Sequence, residues 1–296
     1  MNEAMVHIEC YGPVAVLTLD GPPVNAFSLV MRKQLHSALC WAAAMECVKA
    51  VVLAGNGRGF SAGGDIKEFG TARASAEPGL SSHLHVAIEQ LGKPVVAAVH
   101  GFAMGGGLET VLACHYRVAE QDAMLGLPEV TLGTLPLSAT QRLPRILGIV
   151  PAVQFMIAGH RQPAARFAHT ALFDQIVDPG QGLSAACAFA AELVAASLST
   201  DDLQQRLIRH RPVTSADPQR ELAEARLYLS GRLDAASRSL LEAVEAGISA
   251  PNFDAGMDCA RRLYDQLMAG EEILRGRDRF LDSASGSRPR VDPGAP

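Results

Sequence analysis

Twice in the first half of this chain a short, wholly apolar run breaks off at glycine. Ala50-Val51-Val52-Leu53-Ala54 ends at Gly55-Asn56-Gly57, and Pro94-Val95-Val96-Ala97-Ala98-Val99 ends at His100-Gly101. Runs this short, with no polar alternates, are strands buried on both faces. An earlier β-rich run, Val14-Ala15-Val16-Leu17-Thr18-Leu19, stops at Asp20-Gly21-Pro22-Pro23. Helical patterns lie between these runs. Ser28 is placed to cap a helix reaching about residue 47, with Leu29, Leu35, Leu39 and Ala43 along one rough apolar face. Residues 86–91 read as the end of a helix, Gly107 to Ala113 as the start of one, and Tyr116-Arg117-Val118-Ala119 as a strand. Strand followed by helix predicts an α/β fold, its mostly parallel sheet covered on both faces.

From Pro144 onward the pattern turns helical, with helices predicted over 151–158, 163–171, 183–199, 218–229, 232–246 and 254–281. Pro212 and Pro218 bracket a connector, and the Ser-, Gly-, Pro- and Arg-rich stretch 283–296 is expected to be a disordered tail. The chain therefore divides into a core over 1–200, a helical region over 201–282 and that tail. A length of 296 residues suffices for a substantial core, and 48% apolar with 19% charged residues is ordinary for a soluble globular protein.

A net charge of -5 argues against a nucleic-acid partner. No apolar run reaches membrane-span length, and the N-terminus lacks a basic segment followed by an apolar core. No membrane partner and no secretory signal are expected. Cys10, Cys40, Cys47, Cys114, Cys187 and Cys259 show no CxxC spacing, which suits reduced thiols in the cytoplasm. Nine histidines include no HExxH; His83 and His85 are close enough to share a face, which alone does not make a metal site.

Two glycine-rich loops follow buried strands. Ala62-Gly63-Gly64-Asp65-Ile66 lets a ligand approach the backbone closely, and a plain tight turn explains it about equally well. Met104-Gly105-Gly106-Gly107 opens a helix, where unpaired N–H groups and a partial positive charge face outward. Three glycines in a row cost chain entropy, so this loop points to a backbone–ligand contact. It is not the GxGxxG of a dinucleotide unit. Glu109 lies just inside that helix, and Glu129 follows Gly126-Leu127-Pro128. Each alone is an ordinary surface carboxylate. Together, beside bare backbone donors, they suit proton transfer next to an activated carbonyl.

Three segments resemble the enoyl-CoA hydratase/isomerase (crotonase) superfamily: residues 60–69, residues 93–109, and Leu127-Pro128-Glu129-Val130-Thr131-Leu132-Gly133. Pro22-Pro23-Val24-Asn25-Ala26, residues 113–119 and Gln141-Arg142-Leu143-Pro144-Arg145 resemble more specifically the hydratase half of bifunctional enoyl-CoA hydratase/3-hydroxyacyl-CoA dehydrogenases. No nucleotide-binding GxGxxG follows residues 218–281, so dehydrogenase activity is not expected.

The resemblance implies a spiral of ββα units, followed by a C-terminal helical region, acting on a coenzyme A thioester. It maps the oxyanion hole to the N–H groups of Gly64 and Gly106, and the water-holding glutamates to Glu109 and Glu129. Contacts to CoA and the acyl chain map to Val24, Ala26, Ala62, Asp65, Ile66, Lys67, Phe69, Gly105, Pro128 and Thr134. No metal or separate cofactor is implied, coenzyme A being part of the substrate. A homotrimer or hexamer is implied as the assembly, and a monomer remains open because residues 218–281 are placed to take over a neighbouring subunit's contribution.

One stretch departs from the family. The usual Pro-Gly-x-Gly-Gly-Thr-Gln-Arg-Leu is replaced by Pro136-Leu137-Ser138-Ala139-Thr140-Gln141-Arg142-Leu143, one residue shorter and without its glycines. The change is expected to reshape the pocket beside the catalytic water. Three activities follow in order: hydration of a trans-2-enoyl-CoA, isomerisation or another enolate-forming reaction, or catalytically weak binding of an acyl-CoA.

Overall fold

The structure is a computed structural model describing residues 4–231 and 234–284. Its main sheet has the order β1(Val6–Tyr11), β2(Val14–Leu19), β3(Ala50–Gly55), β4(Val95–Val99), β6(Tyr116–Glu120), β9(Gln175–Val177). Only the β1–β2 pair is antiparallel. A smaller sheet joins β5(Phe102–Met104), β7(Met124–Gly126) and β8(Gln162–Pro163). The repeated turn from one sheet to the other is the predicted ββα spiral. The strand β1 has an exposed, mixed pattern that carried no apolar signal in the sequence.

Alternation within the apolar strands assigns the two faces. Ala15, Leu17, Leu19, Val51, Leu53, Ala97 and Val99 face the large core with helix α1(Leu29–Ala44). Val14, Val16, Ala50, Val52, Ala54, Val96, Ala98 and Val118 face Ala186, Ala190 and Leu193 of the long helix Gly182–Ala195. Helix α1 starts as expected, the Ser28 hydroxyl accepting from Met31 N. We label the remaining long helices α2(Gly106–Ala113), α3(Ile149–Ala158), α4(Gly182–Ala195), α5(Pro218–Leu229), α6(Ala235–Ser249), α7(Phe253–Met268) and α8(Glu271–Ala284).

Two helix expectations change. The stretch 163–171 contains only the short β8 and a 3-10 turn, Ala164–Phe167. The long helix over 254–281 divides into α7 and α8 at Ala269-Gly270, where Gly270 leaves the helix. The tail set at 283–296 lies, from residue 285, outside the described residues.

The break lets the two C-terminal helices pack separately against the core. Gly247 of α6 and Gly256 of α7 meet over Gln141, and a Cβ on Gly256 would come within 3.0 Å of Gly247 Cα. The close crossing sends α7 along a cavity beneath the main core. Helix α8 packs on the turn Glu129–Leu132, with Gly276 against the carbonyl of Leu132.

Candidate active site

A cavity of about 530 Å³ opens between the two glycine loops, residues 79–82 and α7. Its wall includes Gly64, Gly106, Glu109, Glu129, Thr134 and Leu137. Gly64 and Gly106 come from loops 42 positions apart in sequence, and an isolated parallel bridge, Ser61 to Ala103, ties those loops together. A Cβ placed on Gly106 would lie 3.4 Å from Gly64 N, and one on Gly63 would lie 2.8 Å from Gly106 N. Both backbone nitrogens therefore border one space. Gly106 is the first residue of α2, so its N–H has no acceptor within the helix.

The glycines here are needed for approach. Gly63 has φ +91° and Gly105 has φ +51°, ψ -129°, conformations open to glycine. A Cβ on Gly105 would meet Glu129 Oε1 at 2.7 Å, and one on Gly107 would meet Ser61 O at 2.5 Å. Gly105 thus makes room for a carboxylate, and Gly107 for the neighbouring loop.

The two carboxylates sit in different surroundings. Glu109 is only 6% exposed, and its Oε1 accepts from Ser138 N (2.5 Å), Ser138 Oγ (3.0 Å) and Ala139 N (2.9 Å). Oε2 is left for a ligand. Glu129 is half-buried, yet its Oε2 is fully covered and has no hydrogen-bond partner. Burial, with the charge of Glu109 second, holds the Glu129 carboxyl well above the usual carboxylate range. Its surroundings favour the protonated form.

The departing loop is what holds Glu109. Without its glycines, the segment turns so that Ser138 and Ala139 present two N–H groups to one carboxylate oxygen, while Leu137 lines the cavity. The loop thereby clamps the carboxylate. Behind Ser138 stands His85, which is wholly buried. Thr110 Oγ1 donates to Gly106 O at 2.8 Å, so it accepts from His85 Nε2–H at 3.2 Å. Nδ1 of His85 then keeps its lone pair toward Ser138 Oγ, 3.5 Å away. Burial, then the charges of Arg142 and Arg261, keeps this imidazole neutral at pH 7. The Ser138 hydroxyl has one hydrogen and two acceptors, of which the nearer is Glu109. Ser138→Ala is expected to lower kcat about tenfold with KM changed little, since a hydrogen bond to a charged group contributes about 1.5–3 kcal/mol. A kcat loss below twofold in steady-state kinetics with an enoyl-CoA would refute this.

The other residues carried over from the resemblance are placed as follows. Asp65 and Phe69 line the cavity, and the Asp65 side chain also caps a 3-10 turn through Lys67 N. Val24, Ala26, Ala62, Ile66, Lys67, Gly105 and Pro128 lie off the cavity wall, and Lys67 is exposed. Val24 O accepts from Ala62 N at 2.9 Å, and Ser61 Oγ donates to Asn25 O at 2.6 Å, which joins the loop 21–27 to the loop 60–64. The stretch 70–92 forms a short helix Ala72–Ser75 and a wide turn in which Leu84 N donates to Gly79 O. That turn directs Leu80, Ser81 and Ser82 to the cavity.

Four residues of the site had not been singled out for a role in it: His85, Ser138, Arg261 and Tyr264. The last two belong to α7, which also sends Asp265 and Met268 to the cavity. Their i, i+3, i+4, i+7 spacing marks one helix face. Its mixed polarity hides that face from a search for apolar stripes.

Gly-lined backbone donors facing one buried and one half-buried carboxylate, on a ββα spiral, define the enoyl-CoA hydratase/isomerase class of site. The chain belongs to the enoyl-CoA hydratase/isomerase family, whose profile matches residues 9–230. It is similar to a probable enoyl-CoA hydratase of Bacillus subtilis, 44% identical over 151 residues, which are 49% of this chain and 58% of that protein. It is 34% identical over 260 residues to the human peroxisomal bifunctional enzyme, covering 87% of this chain and 35% of that one. The chain thus spans less than two thirds of the length of these relatives. A solved structure, the enoyl-CoA hydratase of Bacillus anthracis, superposes with a TM-score of 0.61 at 25% identity over 95% of this chain and 97% of that one. Among the described residues, no helix is long and apolar enough to cross a membrane.

Proposed function

We propose that this chain adds water across the 2,3 double bond of a trans-2-enoyl-CoA. The observation that carries the reading is the unequal carboxylate pair: Glu109, clamped through one oxygen, and Glu129, whose Oε2 is covered and without a partner and whose carboxyl is held above the usual range. Environments that push two carboxyls apart divide the roles of acid and base. The thioester oxygen accepts from the N–H groups of Gly64 and Gly106, which stabilise the enolate more than the ground state. Glu109 Oε2 takes a proton from water as its oxygen bonds to C3, and Glu129 delivers its proton to C2. Proton exchange with solvent then restores the pair.

The clamp on Glu109 supports hydration over isomerisation, which needs one carboxylate to carry a proton between carbons. It also weighs against a merely binding role, because the altered loop secures the carboxylate. Neither metal nor redox group enters these steps, and coenzyme A arrives as part of the substrate. With Arg261, Tyr264, Asp265 and Met268 supplied by the same chain, the reading includes a site complete in one protomer, leaving trimer or hexamer to be tested by light scattering. A cytoplasmic setting is part of the proposal; the peroxisomal naming of several relatives makes that organelle the competing location.

The test is loss of the ultraviolet absorbance of the conjugated enoyl thioester with crotonyl-CoA and a longer trans-2-enoyl-CoA, followed by identification of the 3-hydroxyacyl product. Absence of turnover on both, with CoA esters still bound, would sink the hydratase reading.

The raised Glu129 carboxyl carries a linked stability effect. Its protonated form suits the fold, so its contribution is complete below the unfolded carboxyl pKa and is lost as pH rises through the higher folded value. Glu129→Gln is therefore expected to raise Tm at alkaline pH, by about 2–4 °C for roughly 1 kcal/mol, and to leave it unchanged near pH 4. Thermal melts of both proteins across pH check the sign, and a stabilisation that is larger in acid than in alkali would refute it.

A further inference from the structure

Among the described residues, the buried arginines other than Arg145 are paired with carboxylates. Arg32 meets Glu68, Arg117 meets Asp174, Arg142 meets Glu89, and the half-buried Arg206 and Arg209 meet Asp174 and Glu89. Arg145 spends its donors on the carbonyls of Arg211, Gln141 and Gly247. Arg261 differs. It is half-buried on the cavity wall, and Ser81 Oγ is the one acceptor that the described residues offer it. No carboxylate among those residues lies at ion-pair distance, and its guanidinium rests 5.6 Å from the centre of the Tyr264 ring.

A guanidinium has five N–H donors in a planar fork, shaped for two parallel bonds to a carboxylate. At Arg261 most of that fork is unspent and borders a cavity that must hold an acyl chain. A saturated alkyl tail laid there would strip water from the cation and return no hydrogen bond. Tyr264 and Ser81 hold the cation against the cavity wall. Burial first, and then the charge of Glu109, pushes this phenol up to about 12, with Arg261 and Glu129 also acting on it. Ser81, which receives Arg261, follows Leu80, whose Cδ2 lies 2.6 Å from where a Cβ on Gly106 would stand, so the cation sits close to the Gly106 end of the cavity. The surrounding groups are Ser81 and Ser82 from the wide turn, Leu80, and Asp265 and Met268 from α7. Asp265 is exposed to solvent and forms no ion pair with Arg261.

We infer that the acyl chain of the substrate ends in a carboxylate, received by Arg261 with Ser81 and the Tyr264 ring completing the subsite. The inference rests on the acyl-CoA reading above and names the substrate class within it: enoyl-CoA esters of dicarboxylic acids. The preference arises because the carboxylate supplies the two acceptors the fork lacks.

The experiment pairs trans-2-hexenedioyl-CoA with trans-2-hexenoyl-CoA in steady-state kinetics, and adipoyl-CoA with hexanoyl-CoA in calorimetry. The wild type is expected to favour the diacid esters about ten- to hundredfold in kcat/KM and in affinity, the range for a charge-assisted pair. Arg261→Met is expected to abolish or reverse that ratio, and Arg261→Lys to retain part of it. The saturated esters report on the subsite without turnover. Equal binding of the two by wild type, or an unchanged ratio in Arg261→Met, overturns the inference and leaves the hydratase reading standing if crotonyl-CoA is still hydrated. Failure of every CoA ester to bind overturns both. Because the wild-type comparison needs no variant, a misfolded Arg261→Met does not rescue the claim.

Discussion

Glu109→Gln and Glu129→Gln are each expected to lower kcat for enoyl-CoA hydration by about 10²–10⁴, the range over which a positioned acid or base contributes. The two losses arise differently. Glutamine at 129 has no proton to deliver to C2. Glutamine at 109 cannot take one from water, and its amide, if turned toward Ser138, sets a donor against three donors from Ser138 and Ala139. Affinity for a saturated acyl-CoA should fall far less, because the thioester contacts run through the N–H groups of Gly64 and Gly106. The double variant should be little slower than the worse single one, since residues acting as a unit are not additive. Single-turnover kinetics with the three variants decides the matter. If Glu109→Gln keeps near wild-type isomerase activity and only Glu129→Gln is inactive, the chain is an isomerase.

Gly105→Ala is expected to cut kcat about a hundredfold, the typical effect of a displacement of about 1 Å at a reacting centre. The added Cβ would stand 2.7 Å from Glu129 Oε1 in a backbone conformation, φ +51° and ψ -129°, that L residues rarely adopt. Relief requires either the carboxylate or the loop to move, and Gly105 N is held by Gly126 O at 2.8 Å. The carboxylate is the softer element. Measuring kcat beside the affinity for a saturated acyl-CoA separates this outcome from collapse of the loop. A variant with wild-type kcat, or one that loses binding and turnover equally, would refute displacement of Glu129.

The altered loop over residues 136–140 acts directly on Glu109. Glycines removed from a family segment suggest lost close approach, hence a weakened site. Here the shorter backbone turns its N–H groups onto Glu109 and adds a serine hydroxyl.

Local chemistry alone determined much of this protein. The apolar strands of the main sheet, the cap at Ser28, the glycine loops and the two glutamates could be read from the sequence, because strand period, capping and glycine's freedom act over a few residues. Tertiary structure decided the rest. Ser138 reaches Glu109 across 29 positions, and Arg261 reaches Ser81 across 180. No local period encodes such meetings; they follow from the strand order and from the crossing of α6 and α7 at Gly247 and Gly256. Strand β1 escaped notice because an exposed edge needs no apolar face. The division of α7 from α8 rests on packing of α8 against the Glu129 turn, a contact more than 130 positions apart that a helical pattern continuous through Gly270 conceals.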